Sequence, residues 1–324
     1  MQDVKDNFII SRIYGAIYEV YHPEHGFCNA VLRGKLRLAK NRERHPFVVG
    51  DRVTALWEQN ELVIAERLPR KSFLVRQNSF KEAHVLCANI DYLLILASLA
   101  MPESKDSFID RCLASCYHSG ITPLIVFNKQ DLVASEVAEK KVDKYSNLGY
   151  KVFLISSLAK ESMQQLLLGL SNKVTYLVGN SGVGKSTFLN QVVGEKGGNV
   201  QKTNDVSGST QKGRHTTTNS RALFLAQGVV LIDSPGVKEW GLLHMQPVEV
   251  LHSFPELQGL RGDCAVPTCC DASKKCKMLK NYKRIDLSED RQKSLDAILY
   301  TLENPGKEKP GQYSHKGKTR RQTR

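Results

Sequence analysis

One short segment constrains the fold more than any other. Gly179-Asn180-Ser181-Gly182-Val183-Gly184-Lys185-Ser186 is a complete G-x-x-x-x-G-K-S phosphate loop. The apolar run Val174 to Val178 precedes it, and a helical pattern over Lys185 to Val192 follows. A strand that ends in such a loop and continues as a helix belongs to a parallel sheet covered on both faces. Gly179 and Gly184 let the backbone turn so that successive N–H groups, with the helix N-terminus, face a phosphate. Lys185 is expected to bridge the β- and γ-phosphates, with the Ser186 hydroxyl on Mg²⁺ and Thr187 in the same turn.

The base is read elsewhere, and in an unusual place. Asn128-Lys129-Gln130-Asp131 has the N-K-x-D form of a guanine-reading element and lies upstream of the phosphate loop instead of downstream. The Asp131 carboxylate can accept from both the ring N–H and the exocyclic amine of guanine, whereas adenine has no such pair on that edge. Asn128 would serve the opposite side of the base, and the Lys129 stem would cover the ring. Ser156-Ser157 follows the next apolar run and is expected to offer a backbone N–H to the guanine carbonyl. Asp233-Ser234-Pro235-Gly236 closes the run Val229 to Ile232 as a D-x-x-G element, with Asp233 in the outer Mg²⁺ shell and the Gly236 amide on the γ-phosphate. The order of parts is that of a circularly permuted GTPase.

Between loop and D-x-x-G lies a long polar stretch, residues 197–220, containing Gly213-Arg214-His215-Thr216-Thr217-Thr218. A segment of that length reads as a switch, in which Thr216 or Thr217 ligates Mg²⁺. The position after Gly236, where a Gln would orient water, holds Val237. Hydrolysis is then slow unless another group supplies that function; His215 is the internal candidate, its other reading being a phosphate or partner contact. Lys185, Gly236 and His215 form the expected catalytic set.

The βαβ alternation from about residue 89 makes the centre a doubly wound α/β domain. Ahead of it, short β-branched runs such as Ile13 to Val20 and Val48 to Leu56 suit a small closed barrel. Interleaved Arg33, Lys35, Arg37, Lys40, Arg42, Arg44, Arg67, Arg70, Lys71 and Arg76 read either as an RNA-binding face or as a solvated surface. After about residue 242 come four of the eight cysteines, Cys264, Cys269, Cys270 and Cys276, then a helix carrying Leu295, Ile298, Leu299 and Leu302, with Ser288 as its N-cap. The last residues form a basic tail. The expected division is 1–80 barrel, 81–241 GTPase domain, 242–304 cysteine-rich domain and 305–324 tail.

Net charge is +13 and the sequence pI about 9.3, which suits a phosphate-rich partner. No apolar run approaches membrane-spanning length, and the charged N-terminus does not suit a signal peptide, so the chain reads as cytoplasmic, with no membrane partner. Cysteines are then expected to be reduced, and their cluster to hold metal.

Together these motifs, with Val49-Gly50-Asp51-Arg52-Val53 in the barrel and Phe254-Pro255-Glu256 ahead of the cysteines, resemble the RsgA/YjeQ family of ribosome small-subunit-dependent GTPases. The resemblance spans nearly the whole chain. It implies an oligonucleotide-binding-type barrel, a permuted GTPase domain and an α-rich zinc-binding domain. It also implies GTP/GDP and Mg²⁺ as ligands, and monomeric action on the 30S subunit and its 16S rRNA late in assembly, with hydrolysis stimulated by the subunit. The family's metal pattern departs here: its histidine position is Asp271, and Cys276 comes one residue early. The zinc set is therefore Cys264, Cys269 and Cys276, with either Cys270 or Asp271. Because the chain after Gly236 leads at once into the cysteine domain, γ-phosphate contact is expected to reach that domain covalently. Two other readings remain: an RNA-binding module using GTP only as a conformational ligand, and a small-molecule kinase indifferent between GTP and ATP.

Overall fold

The computed structural model describes residues 6–33, 47–77, 83–194, 220–234, 240–263 and 276–305. Its first part is a closed five-stranded barrel: β1 (Asp6–Tyr14), β2 (Ile17–His22), β3 (Gly26–Leu32), β4 (Arg52–Glu58) and β5 (Glu61–Arg67), in the order β1-β2-β3-β5-β4. Period-2 alternation turns Phe8, Ile10, Tyr18, Val20, Val53, Ala55, Leu62 and Ile64 inward to form its core. β3 and β5 pair in parallel, and the other pairs are antiparallel.

Val49 to Val53 joins the barrel to the rest of the chain. Gly50 has φ +89° and lies so near the Ala88 carbonyl that a Cβ would stand 2.2 Å from its oxygen. Only glycine fits there. Asp51 is fully buried and accepts from the Val48 amide at 2.8 Å and from two nitrogens of Arg70 at 2.7 and 2.8 Å. Arg70 is therefore a structural partner of Asp51, and Arg33 is held by Glu58 at 2.7 Å. The Arg33 pair is exposed, so that arginine stays on the surface, whereas Arg70 is taken up by Asp51; Lys35 to Arg44 lie outside the described residues.

A hairpin, β6 (Phe73–Gln77) and β7 (Ala83–Ala88), leads into the central sheet, and its Leu74 and Cys87 pack into the core of that domain. The sheet holds β8 (Tyr92–Ser98), β9 (Thr122–Asn128), β10 (Lys151–Leu154), β11 (Val174–Val178), β12 (Arg221–Phe224) and β13 (Val230–Asp233), ordered β10-β9-β8-β11-β13-β12. All neighbours are parallel except β12 and β13. Helices α1 (Asp106–Ser119), α2 (Ser135–Ser146), α3 (Lys160–Gly169) and α4 (Lys185–Gly194) connect the strands. Two cores result, one per face: on β8, Leu93, Ile95 and Ala97 enter one, while Leu94 and Leu96 enter the other.

Past the sheet, Trp240 is fully buried and its indole N–H donates to Ser115 Oγ of α1 at 2.7 Å. α5 (Pro247–His252), a 3₁₀ stretch Pro255–Asp263, α6 (Lys277–Asn281) and α7 (Glu289–Glu303) follow. Leu295, Ile298 and Leu299 are buried, as helical spacing predicts, with Leu302 packed beside them. Ser288 occupies the N-cap position, but its side chain makes no capping bond. A buried charge network adds direction to that apolar packing. Arg291, 3% exposed, bonds both carboxylate oxygens of Glu256 at 2.7 and 2.9 Å, reaches Asp110 on α1 and stacks over Phe254. The Phe254-Pro255-Glu256 segment thus ties the C-terminal helices to the central domain.

Candidate guanine-nucleotide site

From β8 the chain builds outward through β9 to β10, then returns and builds the other way through β11 and β13. The crevice at the carboxyl ends of β8 and β11 is thus the switch point where doubly wound sheets bind ligands. Every described motif converges there: Asn128 ends β9, Ser156 follows β10, Gly179 follows β11 and Asp233 ends β13.

Asn128 is 2% exposed and joins three loops. Its Nδ2 donates to the Val183 carbonyl of the phosphate loop at 2.9 Å. Its Oδ1 accepts from both the amide and the hydroxyl of Ser157, each at 2.9 Å. Gly184, at φ +93°, lets the loop pass; a Cβ there would lie 2.5 Å from Asn128 Nδ2. One Nδ2 hydrogen remains for an acceptor on the base.

Ser156 and Ser157 follow β10 and pack beside Asn128. The Ser157 amide is committed to Asn128, and the Ser156 amide to Ser162 Oγ at 3.3 Å. Both serines are buried; Ser157 bonds Asn128 directly, and the Ser156 hydroxyl accepts from the Leu158 amide at 3.2 Å. Lys129 adopts a left-handed backbone (φ +66°), and its ammonium bonds the carbonyls of Met101 and Gly182 at 2.8 Å each. It laces the phosphate loop to the loop after β8, a partnership no sequence motif announces. Asp131, on the 3₁₀ turn Gln130–Leu132, is exposed and faces solvent.

At the phosphate end, Lys185 lies 3.0 Å from Asp233 Oδ1 and donates to the Ser234 carbonyl. Burial pushes the Asp233 carboxyl above its ordinary value, against the pull of Lys185 and Arg221. Ser234 is buried and anchored to the Leu177 carbonyl at 2.7 Å. Ser186 and Thr187 open α4 with exposed side chains, as a Mg²⁺ and phosphate role requires. Asn180, Ser181, Gly182 and Val183 complete the loop, Val183 buried and Ser181 and Gly182 exposed. The Gly184 passage and the cation at Lys185 fit a bound phosphate chain, and the hydroxyl of Ser186 with the Asp233 carboxylate fits a hard cation.

His215, Thr216, Thr217 and Gly236 lie outside the described residues, as do Cys264, Cys269, Cys270 and Asp271. Cys276 is described, buried at the N-cap of α6. It and Cys28, Cys87, Cys112 and Cys116 are free thiols. Among the described residues, no helix is long and apolar enough to cross a membrane.

A five-stranded barrel followed by a phosphate-loop domain that carries its base-reading strand first defines a circularly permuted GTPase. Comparison with known proteins agrees. The RsgA GTPase family profile matches residues 67–243. The small ribosomal subunit biogenesis GTPase RsgA of Bacteroides fragilis is 32% identical over 298 residues, covering 90% of this chain and 95% of that protein. The protein of the same name from Dickeya dadantii is 33% identical, over 93% and 86%. The chain belongs to the RsgA GTPase family and is a GTP hydrolase. In fold it is similar to the crystal structure of YjeQ from Thermotoga maritima (TM-score 0.67, 24% identity, 93% and 99% of the two chains). It is similar likewise to YloQ, described as a circularly permuted GTPase (TM-score 0.65, 20% identity, 94% and 97%).

Proposed function

We propose that this GTPase acts in the cytoplasm, as a monomer, late in maturation of the 30S ribosomal subunit. It binds 16S rRNA, and the subunit stimulates the hydrolysis that releases it. The observation that carries this is Asn128 bonded at once to the phosphate loop and the Ser157 loop, in a chain whose relatives are named small ribosomal subunit biogenesis GTPases. The +13 charge supports a polyanionic partner. The domain division proposed is 1–80 barrel, 81–241 GTPase domain, 242–304 cysteine-rich domain and 305–324 basic tail; the last barrel strand, β5, ends at Arg67.

Each residue then has a task. Asp131 accepts the paired donors of guanine, and the spare Nδ2 hydrogen of Asn128 serves the other edge. Loop amides from Asn180 to Ser186 and the α4 N-terminus receive the phosphates. Lys185 exchanges Asp233 and the Ser234 carbonyl for phosphate oxygens, so bound nucleotide releases the end of β13 that leads to Gly236. Ser186 and Thr216 or Thr217 would hold Mg²⁺, which when bound neutralises phosphate charge, with Asp233 outside them. Val237 cannot orient water, so His215 or a group of the subunit must do so. Zinc on Cys264, Cys269, Cys276 and either Cys270 or Asp271 would stabilise the cysteine domain.

Turnover of GTP and of ATP, titrated with small subunits at two salt concentrations, tests the reading. GTP-selective turnover that rises with subunits, more weakly at high salt, is expected. Equal rates with both nucleotides, or single-turnover GTP hydrolysis indifferent to subunits, would overturn it.

A further inference from the structure

The turn joining β2 to β3 gathers side chains that the nucleotide site does not use. His22, Glu24 and His25 each offer one ligand atom, and these atoms lie within 4.8 Å of one another. The register His22↔Gly26 closes the turn tightly, so all three donors fall at one end of the hairpin. Pro23 fixes its own φ between them. Phe8 of β1, 1% exposed, lies against both imidazoles, with ring centroids 5.2 Å from His22 and 6.0 Å from His25.

His25 is also oriented. Its Nε2 lies 3.1 Å from Asp6 Oδ2, on the strand alongside. With Nε2–H given to the carboxylate, Nδ1 carries the free lone pair, the carboxylate–histidine arrangement that supports a metal-binding imidazole. His22 Nδ1 accepts from the Glu24 amide at 3.2 Å, a long bond that an exposed turn can give up to water when the nitrogen takes a cation. Two imidazoles and one carboxylate form a nitrogen-rich set that suits zinc; calcium and magnesium want oxygen throughout.

We propose that His22, Glu24 and His25 bind a zinc-type divalent cation, with Asp6 as the group that orients His25 and water completing the coordination. The site is separate from the cysteine cluster in sequence and in donor chemistry. Its position gives it a consequence. Tyr21 and Phe27, on either side of the turn, pack on Phe224 of β12, with ring centroids at 3.9 and 5.6 Å. β12 pairs with β13 so that Arg221 lies opposite Asp233. A cation that stiffens the turn therefore stiffens the barrel's hold on the strand beside the nucleotide site.

The test uses the full chain, stripped of metal and titrated calorimetrically with Zn²⁺. The wild type is expected to bind one more equivalent than the His22→Ala/His25→Ala double variant, which keeps GDP affinity as its folding control. Asp6→Asn keeps the stoichiometry and weakens that one site roughly 10–100-fold. Glu24→Gln, at an exposed position, weakens the same site should the double variant fail to fold. Titration with Co²⁺ separates the two donor sets, since only thiolates give intense sulfur-to-cobalt bands. Equal stoichiometry and affinity in the wild type and either the double variant or Glu24→Gln would overturn the proposal.

Discussion

Two residues of one motif, Asn128 and Asp131, have opposite physical situations. Asn128 is buried with its acceptor and one donor committed to protein, whereas Asp131 is exposed. Asn128→Ala strands the Val183 carbonyl and the Ser157 amide, so it should cost about 1–3 kcal/mol of stability as well as GTP affinity. Asp131→Asn should leave the unfolding midpoint unchanged. It reverses the hydrogen-bond polarity towards guanine, and GTP affinity should fall on the order of 10²-fold or more. A base with a carbonyl in place of the exocyclic amine should recover part of that loss. Urea unfolding and nucleotide titration of both variants check the contrast; equal effects on stability would contradict it. The motif was legible in the sequence. The division of labour inside it was not, because it depends on which loops tertiary folding brings to Asn128.

At the level of elements, the joint between α1 and α7 holds a buried charge. Asp110 is 1% exposed, and burial pushes its carboxyl up to about 6, against the pull of Arg291. Between about pH 4 and pH 6 the folded state therefore binds more protons than the unfolded state, and stability falls as pH rises through that window. His244, lowered to about 4 by burial and by His118, works the other way: its contribution is lost as pH falls below the usual histidine value. The two overlap, so the measurement is a difference. Wild type minus Asp110→Asn should lose stability from pH 4 to pH 6 and then level off, followed by urea midpoints. A flat difference would mean that Asp110 does not titrate in that range. Helical spacing predicted the apolar stripe of α7. It carried no sign that Arg291 would cross to another helix, since a charged residue in sequence reads as surface.

Across the whole molecule, the expected covalent link from the γ-phosphate switch to the C-terminal helices meets a fixed point. Trp240 is buried and bonded to Ser115, and a Cβ on Gly241 would lie 2.5 Å from the Gln77 carbonyl. Movement begun at Gly236 must either be absorbed before Trp240 or drive α1 with it. Trp240→Ala should cost about 3–5 kcal/mol, and Trp240→Phe, which gives up the bond to Ser115 and part of the indole volume, about 1–2 kcal/mol. Unfolding of the two variants by urea measures both; a Trp240→Phe cost near zero would show that the indole N–H contributes nothing.

The chemistry could be read from the chain alone. A G-x-x-x-x-G-K-S loop can only follow a strand and open a helix, and the placement of Asn128 to Asp131 ahead of it determined the permuted order. Those are local patterns with local causes. The partners these residues take came only with the folded chain: Asn128 to Ser157, Lys185 to Asp233, Arg70 to Asp51 and Arg291 to Glu256. Each pair joins residues far apart along the chain, and hydrogen bonds at 3 Å between distant segments leave no periodicity to read. For the same reason the roles of Arg70, which serves a buried carboxylate, and Gly50, which makes a close approach to Ala88, appeared only in the fold.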